Sequence, residues 1–222
     1  MQLPLNAKID CDFELFHKIL LAFFIIGLVV SGIQPLDYFT WTLEITPAII
    51  GLLVLAFIFK RFKFSKMTYI FILLHCYILF VGGHYTYAEV PLFNWIRDVL
   101  GQTRNNYDKL GHFAQGFIPA IIVRELFIRK QIVKKGFWTE LLTVCVCLSV
   151  SVIYELGEWA VALLTGKSSD AFLGTQGYVW DTQSDMFYAL IGSLMMIIFM
   201  GPLQNKVLLE LMDKQKLMQK NE

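Results

Sequence analysis

Residues 16–33, FHKILLAFFIIGLVVSGI, decide the class of this protein. A helix that crosses the hydrocarbon core of a bilayer needs about 20 mostly apolar residues, with a range of about 17–25. This run is long enough and carries a single lysine, close to its start. No small-x-small cleavage site follows it, so we predict an uncleaved first transmembrane helix rather than a signal peptide.

Further apolar stretches follow the first one along the chain. The predicted spans are residues 16–33, 43–59, 67–83, 111–128, 137–164 and 186–203. No internal repeat, low-complexity segment or Pro- or Ser-rich linker separates them. The sequence therefore predicts an all-α polytopic membrane protein, with about six transmembrane helices in one bundle and a single domain over residues 1–222.

The composition supports this class and excludes others. Of the 222 residues, 56% are hydrophobic and only 17% are charged, against roughly 25% charged in a soluble domain. Such a chain is too apolar to be disordered. Its formal net charge of +1 creates no basic field for nucleic acid. We therefore predict the lipid bilayer as a partner and no nucleic acid. The four cysteines show no metal-type or redox spacing and are interpreted as free thiols.

The positions of Lys and Arg predict the orientation, because cytoplasmic loops of membrane proteins carry an excess of both. The N-terminal tail, the second loop, the fourth loop and the C-terminal tail hold most of them, whereas the first loop holds none and the fifth only Lys167. We therefore expect both termini to be cytoplasmic. The tail 206–220 mixes apolar and basic residues; an amphipathic helix is one reading, and a solvated tail is favoured.

Acidic pairs fall at the predicted outer side of three spans. Their spacing of three or four residues places both members of a pair on one helical face. The pairs are Asp108 with His112, Glu155 with Glu158, and Asp181 with Asp185. Charged groups inside membrane spans are costly and usually mark functional sites. We expect the three pairs to lie at similar depth on one side of the membrane and interpret them as one acidic site; the order of helices along the chain does not fix which of them touch.

Carboxylates and an imidazole in one place suit a divalent metal such as Mg²⁺, Mn²⁺, Ca²⁺ or Zn²⁺. The predicted metal ligands are Asp108, His112, Asp181 and Asp185, and the predicted catalytic residues are Glu155, Glu158, Asp108 and His112. Two alternatives stay open. The aspartates could cap their helices, and the two glutamates could only orient helices through ion pairs or hydrogen bonds. Arg124 and Glu125, near the inner end of the fourth span, are interpreted as snorkelling and local pairing.

The neighbouring loops are polar and predict substrate contacts. Arg104 and Lys109 could hold a phosphate or carboxylate, and Tyr178 and Trp180 could line the same site. Residues 174–185 are dense in hydrogen-bonding groups. The alternatives are a polar outer loop with no ligand and interfacial anchoring of the two aromatic side chains.

Three stretches resemble the signatures of the YjdF family of bacterial inner-membrane proteins. They are residues 105–117, NNYDKLGHFAQGF, residues 154–159, YELGEW, and residues 177–186, GYVWDTQSDM. The resemblance covers nearly the whole chain and implies a multi-pass protein of the bacterial cytoplasmic membrane, without supplying a reaction. A looser pattern, Asp-Lys-x-x-His followed by a Glu and then an Asp in later spans, is similar to the VanZ-like membrane proteins.

Three functions are compatible with these features. The favoured one is a metal-assisted or acid–base enzyme that acts on a lipid-linked or envelope substrate at the outer leaflet. An ion- or proton-coupled transporter is the second, although the acidic residues gather toward one side of the membrane. A non-catalytic accessory protein, in which the polar pairs only hold helices together, is the third.

Overall fold

A computed structural model describes residues 5–165 and 176–220, and within these ranges the chain is helical and contains no strand. The α-helices are α1 (Leu5–Ser31), α2 (Tyr38–Ile58), α3 (Lys66–Tyr85), α4 (Pro91–Leu100), α5 (Tyr107–Arg129), α6 (Phe137–Thr165), α7 (Asp181–Met195) and α8 (Gly201–Lys220). A short π-helical segment, Met196–Met200, joins α7 to α8 without a break.

Two helical segments differ from what the sequence predicts. The tail after residue 206, expected to be solvated, is helical through Lys220 and buries Leu208 to 1% exposure. The third loop contains α4, a helix that the hydropathy pattern did not indicate. Pro91 starts α4, and Gly101 ends it in a left-handed conformation, as is usual at the two ends of a helix. Four of its large apolar side chains, Leu92, Trp95, Val99 and Leu100, are exposed, which is typical of a helix lying in a membrane interface.

Five helical stretches are long and apolar enough to cross a membrane. They are Glu14–Ser31, Tyr38–Ile58, Lys66–Tyr85, Phe137–Thr165 and the continuous stretch Asp181–Lys214. Large apolar side chains on their outer faces are exposed, for example Phe57 at 74% and Ile153 at 69%. Apolar surface on this scale is unfavourable in water and is expected against lipid. These stretches confirm the prediction of a membrane protein with several apolar helices.

The fourth predicted span lies in α5, which is long enough to cross a bilayer but is not among these five stretches. It is the most polar of the predicted spans because charged side chains occupy both of its ends. Those side chains are buried, since α5 packs against α3, α6 and α7. Ala120 and Ile121, in its middle, are completely buried. The helix is thus shielded from lipid by its neighbours, which is where intramembrane charges are tolerated.

Helices α5 and α7 approach each other closely through two glycines. A Cβ atom added to Gly116 would overlap the backbone carbonyl of Ala189, and one added to Gly192 would overlap the carbonyl of Phe113. Small residues let membrane helices pack backbone to backbone. This close approach brings the polar side chains at the start of both helices together.

The end of α5 near Arg129, here called the basic end, holds a closed polar network. Arg124 is 2% exposed, so it does not snorkel as expected. It donates hydrogen bonds to Glu140 on α6 over 2.8–3.0 Å and to Gln204 and Asn205 on α8 over 2.9 Å. Lipid could not replace these partners, so Arg124 holds three helices together.

Glu125 does not pair with Arg124 but with the start of α3. Its carboxylate accepts hydrogen bonds from the backbone and side chain of Ser65 and from the hydroxyl of Thr68. Arg129, one helical turn later, donates to the same carboxylate over 2.7 Å. The adjacent charges of α5 are therefore satisfied by different helices.

We predict that Gly116→Ala destabilises the protein by about 1–3 kcal/mol, the usual cost of overpacking, because the new methyl group meets the Ala189 carbonyl. Gly51→Ala is the matched control: it lies inside α2 with nothing within 4 Å of the added Cβ, so it should be neutral or slightly stabilising. Thermal unfolding of both variants in detergent checks this. Equal unfolding temperatures would show that the α5–α7 contact is not as close as described.

Candidate functional site

The three predicted pairs meet at the start of α5, here called the site end. Asp108 and His112 lie in the first turns of α5, Glu155 and Glu158 in the second half of α6, and Asp181 and Asp185 in the first turns of α7. All six side chains are buried, and α5 packs against both other helices. Together with Arg104 and Lys109 they form what we call the outer cluster, after the side of the membrane that the Lys and Arg bias predicts for it.

Capping does not explain the aspartates. The N-cap of α5 is Asn106 and that of α7 is Trp180, so Asp108 and Asp181 lie inside the first helical turn. Negative charge is favourable there because helix N-termini carry positive partial charge. Their side chains make ion pairs with residues of the cluster instead of capping bonds.

Lys109 is the centre of the ion pairs in the cluster. Its Nζ lies 2.6 Å from Asp185 Oδ1, 2.7 Å from Asp181 Oδ1 and 3.4 Å from Asp108 Oδ2. The first two distances are typical of charge-assisted hydrogen bonds. One buried ammonium group therefore ties α5 to two carboxylates of α7.

Arg104 reinforces this arrangement from the loop before α5. Its Nη1 donates to Asp181 Oδ1 over 2.7 Å, and its Nη2 lies 3.7 Å from Asp108 Oδ2. The ring of Tyr178 lies against the guanidinium, 5.6 Å from centroid to Cζ, and within 5.9 Å of Lys109 Nζ. Both cations predicted to hold a substrate anion are thus engaged by carboxylates of the protein, and their role toward a substrate stays a prediction.

The two aromatic residues predicted to line the site are both accessible. Tyr178 is 44% exposed and Trp180 is 62% exposed. Tyr178 contacts the cations of the cluster, whereas Trp180 precedes α7 as its N-cap residue. Residues 174 and 175 of the polar loop lie outside the described residues. Gln176 exchanges two hydrogen bonds with the backbone of Asn105, so the loop is fastened to the start of α5.

His112 faces three carboxylates through one nitrogen. Its Nε2 lies 3.4 Å from Asp108 Oδ1, 3.6 Å from Glu155 Oε1 and 3.9 Å from Asp185 Oδ2. These separations are longer than the roughly 2.7–2.9 Å of a charge-assisted hydrogen bond. The contacts of Lys109 Nζ with Asp181 and Asp185, at 2.7 and 2.6 Å, are that short. The imidazole is therefore surrounded by anionic oxygens without being closely bonded to any of them.

The same separations suit ligands that share a metal ion. A tetrahedral ion with bonds of about 2.1 Å holds its ligand atoms about 3.4 Å apart. Asp108, His112 and Asp185 each offer one ligand atom, and the three atoms lie within 4.8 Å of one another. Two of the three remaining predicted site acids, Glu155 and Glu158, lie on the adjoining face of α6. The donor set is compatible with a divalent cation.

The opposite nitrogen of His112 is fixed by α5 itself. Nδ1 lies 3.0 Å from Gln115 Oε1, and because an amide oxygen only accepts, Nδ1 carries the hydrogen. The Nε2 lone pair of the neutral imidazole then points toward the three carboxylates. Such an arrangement requires either a bound cation or a proton on Nε2. A hydrogen bond at the non-ligating nitrogen is also the usual support of a metal-binding histidine.

One carboxylate oxygen of Glu155 is a further acceptor at the site. Its Oε1 is buried and has no hydrogen-bond partner among the described residues. A buried carboxylate oxygen without a partner carries a full desolvation cost. His112 Nε2 lies 3.6 Å from this atom. A cation or a proton-donating ligand at this point would remove the cost.

The sequence reasoning missed one acidic residue of the site, Glu44 on α2. It is 3% exposed, and Tyr154 donates its hydroxyl hydrogen to Glu44 Oε2 over 3.0 Å. The ring of Tyr154 in turn packs edge-on against His112, with centroids 6.0 Å apart. Glu44 lies at the predicted outer start of the second span, and that position was the available signal. Because it has no acidic neighbour at helical spacing, it does not form one of the predicted pairs.

Tyr87 closes the cluster from the loop after α3. Its ring fills a slot in which a Cβ on Gly82 or Gly111 would collide with it. Burial, followed by the charge of Glu44, raises the pKa of Tyr87 well above its ordinary value. Thr86 and Tyr87 both adopt left-handed backbone conformations, with φ of 57° and 55°. Residues other than glycine rarely adopt the left-handed conformation, and such backbone strain is found preferentially at functional sites.

The charges of the site do not balance. Six carboxyl groups lie there within electrostatic reach of one another, namely Glu44, Asp108, Glu155, Glu158, Asp181 and Asp185. Among the described residues, the permanent cations that form ion pairs with members of this group are Arg104 and Lys109. Clustered carboxylates in a low-dielectric setting bind cations or take up protons. The site therefore favours a positively charged ligand.

We predict that Lys109→Met lowers stability strongly, on the order of 3–5 kcal/mol, because it leaves buried carboxylates without their cation. Lys18→Met is the control, since the Lys18–Glu14 pair is 3.8 Å long and exposed and should contribute little. Thermal unfolding in detergent measures both. Adding Asp181→Asn to Lys109→Met should recover part of the loss, and a fully additive double variant would contradict the ion-pair interpretation.

Comparisons with known proteins show a family of membrane proteins. Residues 16–206 match the family model described as "Predicted membrane protein (DUF2238)". The chain is 47% identical over 174 residues to the inner membrane protein YjdF of Escherichia coli (strain K12). These 174 residues make up 78% of this chain and 83% of YjdF. No solved structure matches.

The family match covers most of the chain and includes all three signature stretches, so the resemblance seen in the sequence is confirmed. The multi-pass inner-membrane location predicted from that resemblance agrees with the relative's name. The chain therefore belongs to the DUF2238 family of predicted membrane proteins and is similar over most of its length to the inner membrane protein YjdF.

Proposed function

We propose that this protein is a metal-dependent membrane enzyme whose site faces the outer leaflet. The observation that carries the proposal is the position of His112 Nε2, which faces Asp108 and Asp185 at 3.4 and 3.9 Å while Gln115 occupies Nδ1. One imidazole and carboxylates form a donor set suited to Zn²⁺ or Mn²⁺. Such an ion polarises oxygen atoms and lowers the pKa of a bound water molecule.

Each aspartate ligand is oriented by a cation on its second oxygen. Asp108 uses Oδ1 toward His112 and Oδ2 toward Lys109, and Asp185 uses Oδ2 toward His112 and Oδ1 toward Lys109. Contacts of this kind hold the ligating atoms in place. Lys109 thus acts as a positioning residue in the proposed site.

Glu158 is the proposed general acid or base. It is buried one turn after Glu155, and it interacts electrostatically with Glu155, Asp108 and Asp185. A carboxyl group near other carboxylates and away from water is suited to proton transfer near neutral pH. Asp108 belongs to the proposed metal ligands, so its catalytic role would be exercised through the ion.

The proposed substrate is a lipid-linked or envelope molecule with an anionic group. The cluster lies at the ends of three helices, at a level where an accessible Tyr178 contacts Arg104. Arginine binds phosphate and carboxylate groups in a fixed fork. An anionic headgroup at this level would compete with Asp181 for Arg104, while Asp181 Oδ1 would keep its 2.7 Å contact with Lys109 Nζ.

Transport is the weaker alternative for the described part of the chain. The outer cluster and the basic-end network are separated by a tightly packed layer of Ala120, Ile121, Cys147 and Met196, all 0% exposed. At the basic end Arg124 is closed by ion pairs and hydrogen bonds. A purely structural role is favoured by one observation, the Lys109 bridge between α5 and α7, and metal content separates that role from the proposal.

We predict that protein purified in detergent without chelator contains about one equivalent of Zn or Mn, and that His112→Ala and Asp185→Asn lose it. His84→Ala is the matched control, because His84 Nδ1 contacts the Ser31 carbonyl at 2.9 Å, outside the outer cluster, and it should retain the metal. Elemental mass spectrometry on monodisperse samples measures this. A parent protein that holds no metal, even after incubation with Zn²⁺ and Mn²⁺, would refute the proposed metal site.

We predict that Glu158→Gln keeps the metal but loses the activity, because the variant removes a proton-transfer group and no ligand. Lipid extracts of cells that lack the protein, or that express the parent or the variant, are compared by mass spectrometry. A lipid species that accumulates without the protein should be restored by the parent alone. Full restoration by Glu158→Gln would exclude its role in proton transfer, and identical lipid profiles in all three strains would argue against an enzyme acting on lipid.

A further inference from the structure

A groove at the basic end, opposite the outer cluster, has the chemistry of a lipid-headgroup site. Its volume is about 430 Å³, within the range of small-molecule pockets. It lies between the end of α5, the loop that follows it, and α8. Its lining includes Ile128, Val133, Lys134, Lys135, Asn205 and Met212.

The lining has two parts with different chemistry. Ile128, Val133 and the α8 side chains provide apolar walls, and the ionisable side chains among the lining residues are Lys134 and Lys135, with no carboxylate. Both lysines are exposed. A ligand that satisfies both parts must be amphiphilic and anionic. Basic pockets of this kind beside membrane helices bind the headgroups of acidic phospholipids.

The local backbone holds the two lysines in place. The hydroxyl of Thr139, in the first turn of α6, donates to the Lys134 carbonyl over 3.0 Å. Helix α6 begins at Phe137, two residues after Lys135, and the positive end of its dipole adds to the charge of the lysines. On the other wall, Asn205 is held by Arg124 Nη2 at 2.9 Å. The groove is therefore a built feature of three packed elements.

Its position suits a lipid of the cytoplasmic leaflet. The loops at this end hold the Lys- and Arg-rich stretches that predict a cytoplasmic orientation. The α8 wall continues from a helix long and apolar enough to span the membrane, so the groove lies near the level of the headgroups. We propose that it binds one anionic phospholipid, with the phosphate at Lys134 and Lys135 and an acyl chain along α8. This proposal is independent of the proposed metal site.

Native mass spectrometry of the full-length protein with equal amounts of phosphatidylglycerol and phosphatidylcholine tests the proposal. The parent should bind one phosphatidylglycerol in preference. Lys134→Gln with Lys135→Gln should reduce that preference by about fivefold for each lysine removed. Lys60→Gln with Arg61→Gln removes the same charge from the second loop, away from the groove, and should leave the preference unchanged.

A second variant, Met212→Trp, keeps the charges and fills the groove, so it should also lose the bound lipid. The proposal is overturned if the parent shows no preference, or if the Lys60/Arg61 control loses it equally, since general surface charge would then explain the binding. It is also overturned if millimolar inorganic phosphate displaces phosphatidylglycerol from the groove, which would indicate a plain anion site. A groove that binds phosphatidylcholine equally well would be an apolar surface without headgroup recognition.

Discussion

The structure depends on burying the polar side chains of α5. This helix carries Asp108, Lys109 and His112 at one end and Arg124 and Glu125 at the other, and hydrocarbon can solvate none of them. Helices α3, α6 and α7 surround it and supply partners. The apolar outer faces of those neighbours then meet the lipid. The order of helices around α5 thus follows from the need to pair its charges.

The two ends of α5 differ in how completely they are paired. At the basic end, Arg124 donates three hydrogen bonds of 2.8–3.0 Å to Glu140 and one to each of two amides, and Glu125 is bonded on both oxygens. At the site end, the carboxylate oxygens facing His112 stay at 3.4–3.9 Å. A network that only held helices together would be expected to close its contacts at both ends.

The sequence predicted the helical membrane class and the similar depth of the three pairs, because hydropathy, helical spacing and the Lys and Arg bias are local signals. That the pairs meet depends on which helices touch, and the order of helices along the chain does not fix this. Glu44 could not be found in this way, since its partner Tyr154 lies 110 residues away. Tyr87 was missed for a related reason: its slot exists only where Gly82 and Gly111 of separate helices come together. Hydropathy also predicted a span over residues 111–128, yet α5 is not among the five stretches that are long and apolar enough to cross a membrane.

Lys109 reconciles an acidic cluster with a stable fold without filling the site. Its ammonium group compensates Asp181 and one oxygen of Asp185, which lowers the repulsion among buried carboxylates. The second oxygen of Asp185 remains directed at His112, and so does Oδ1 of Asp108. The Lys109 ammonium group therefore stabilises the helix packing, while it leaves one oxygen of each aspartate available to a ligand. This division of each carboxylate between a structural and a ligand-facing oxygen is the feature that favours a functional site over a structural ion-pair network.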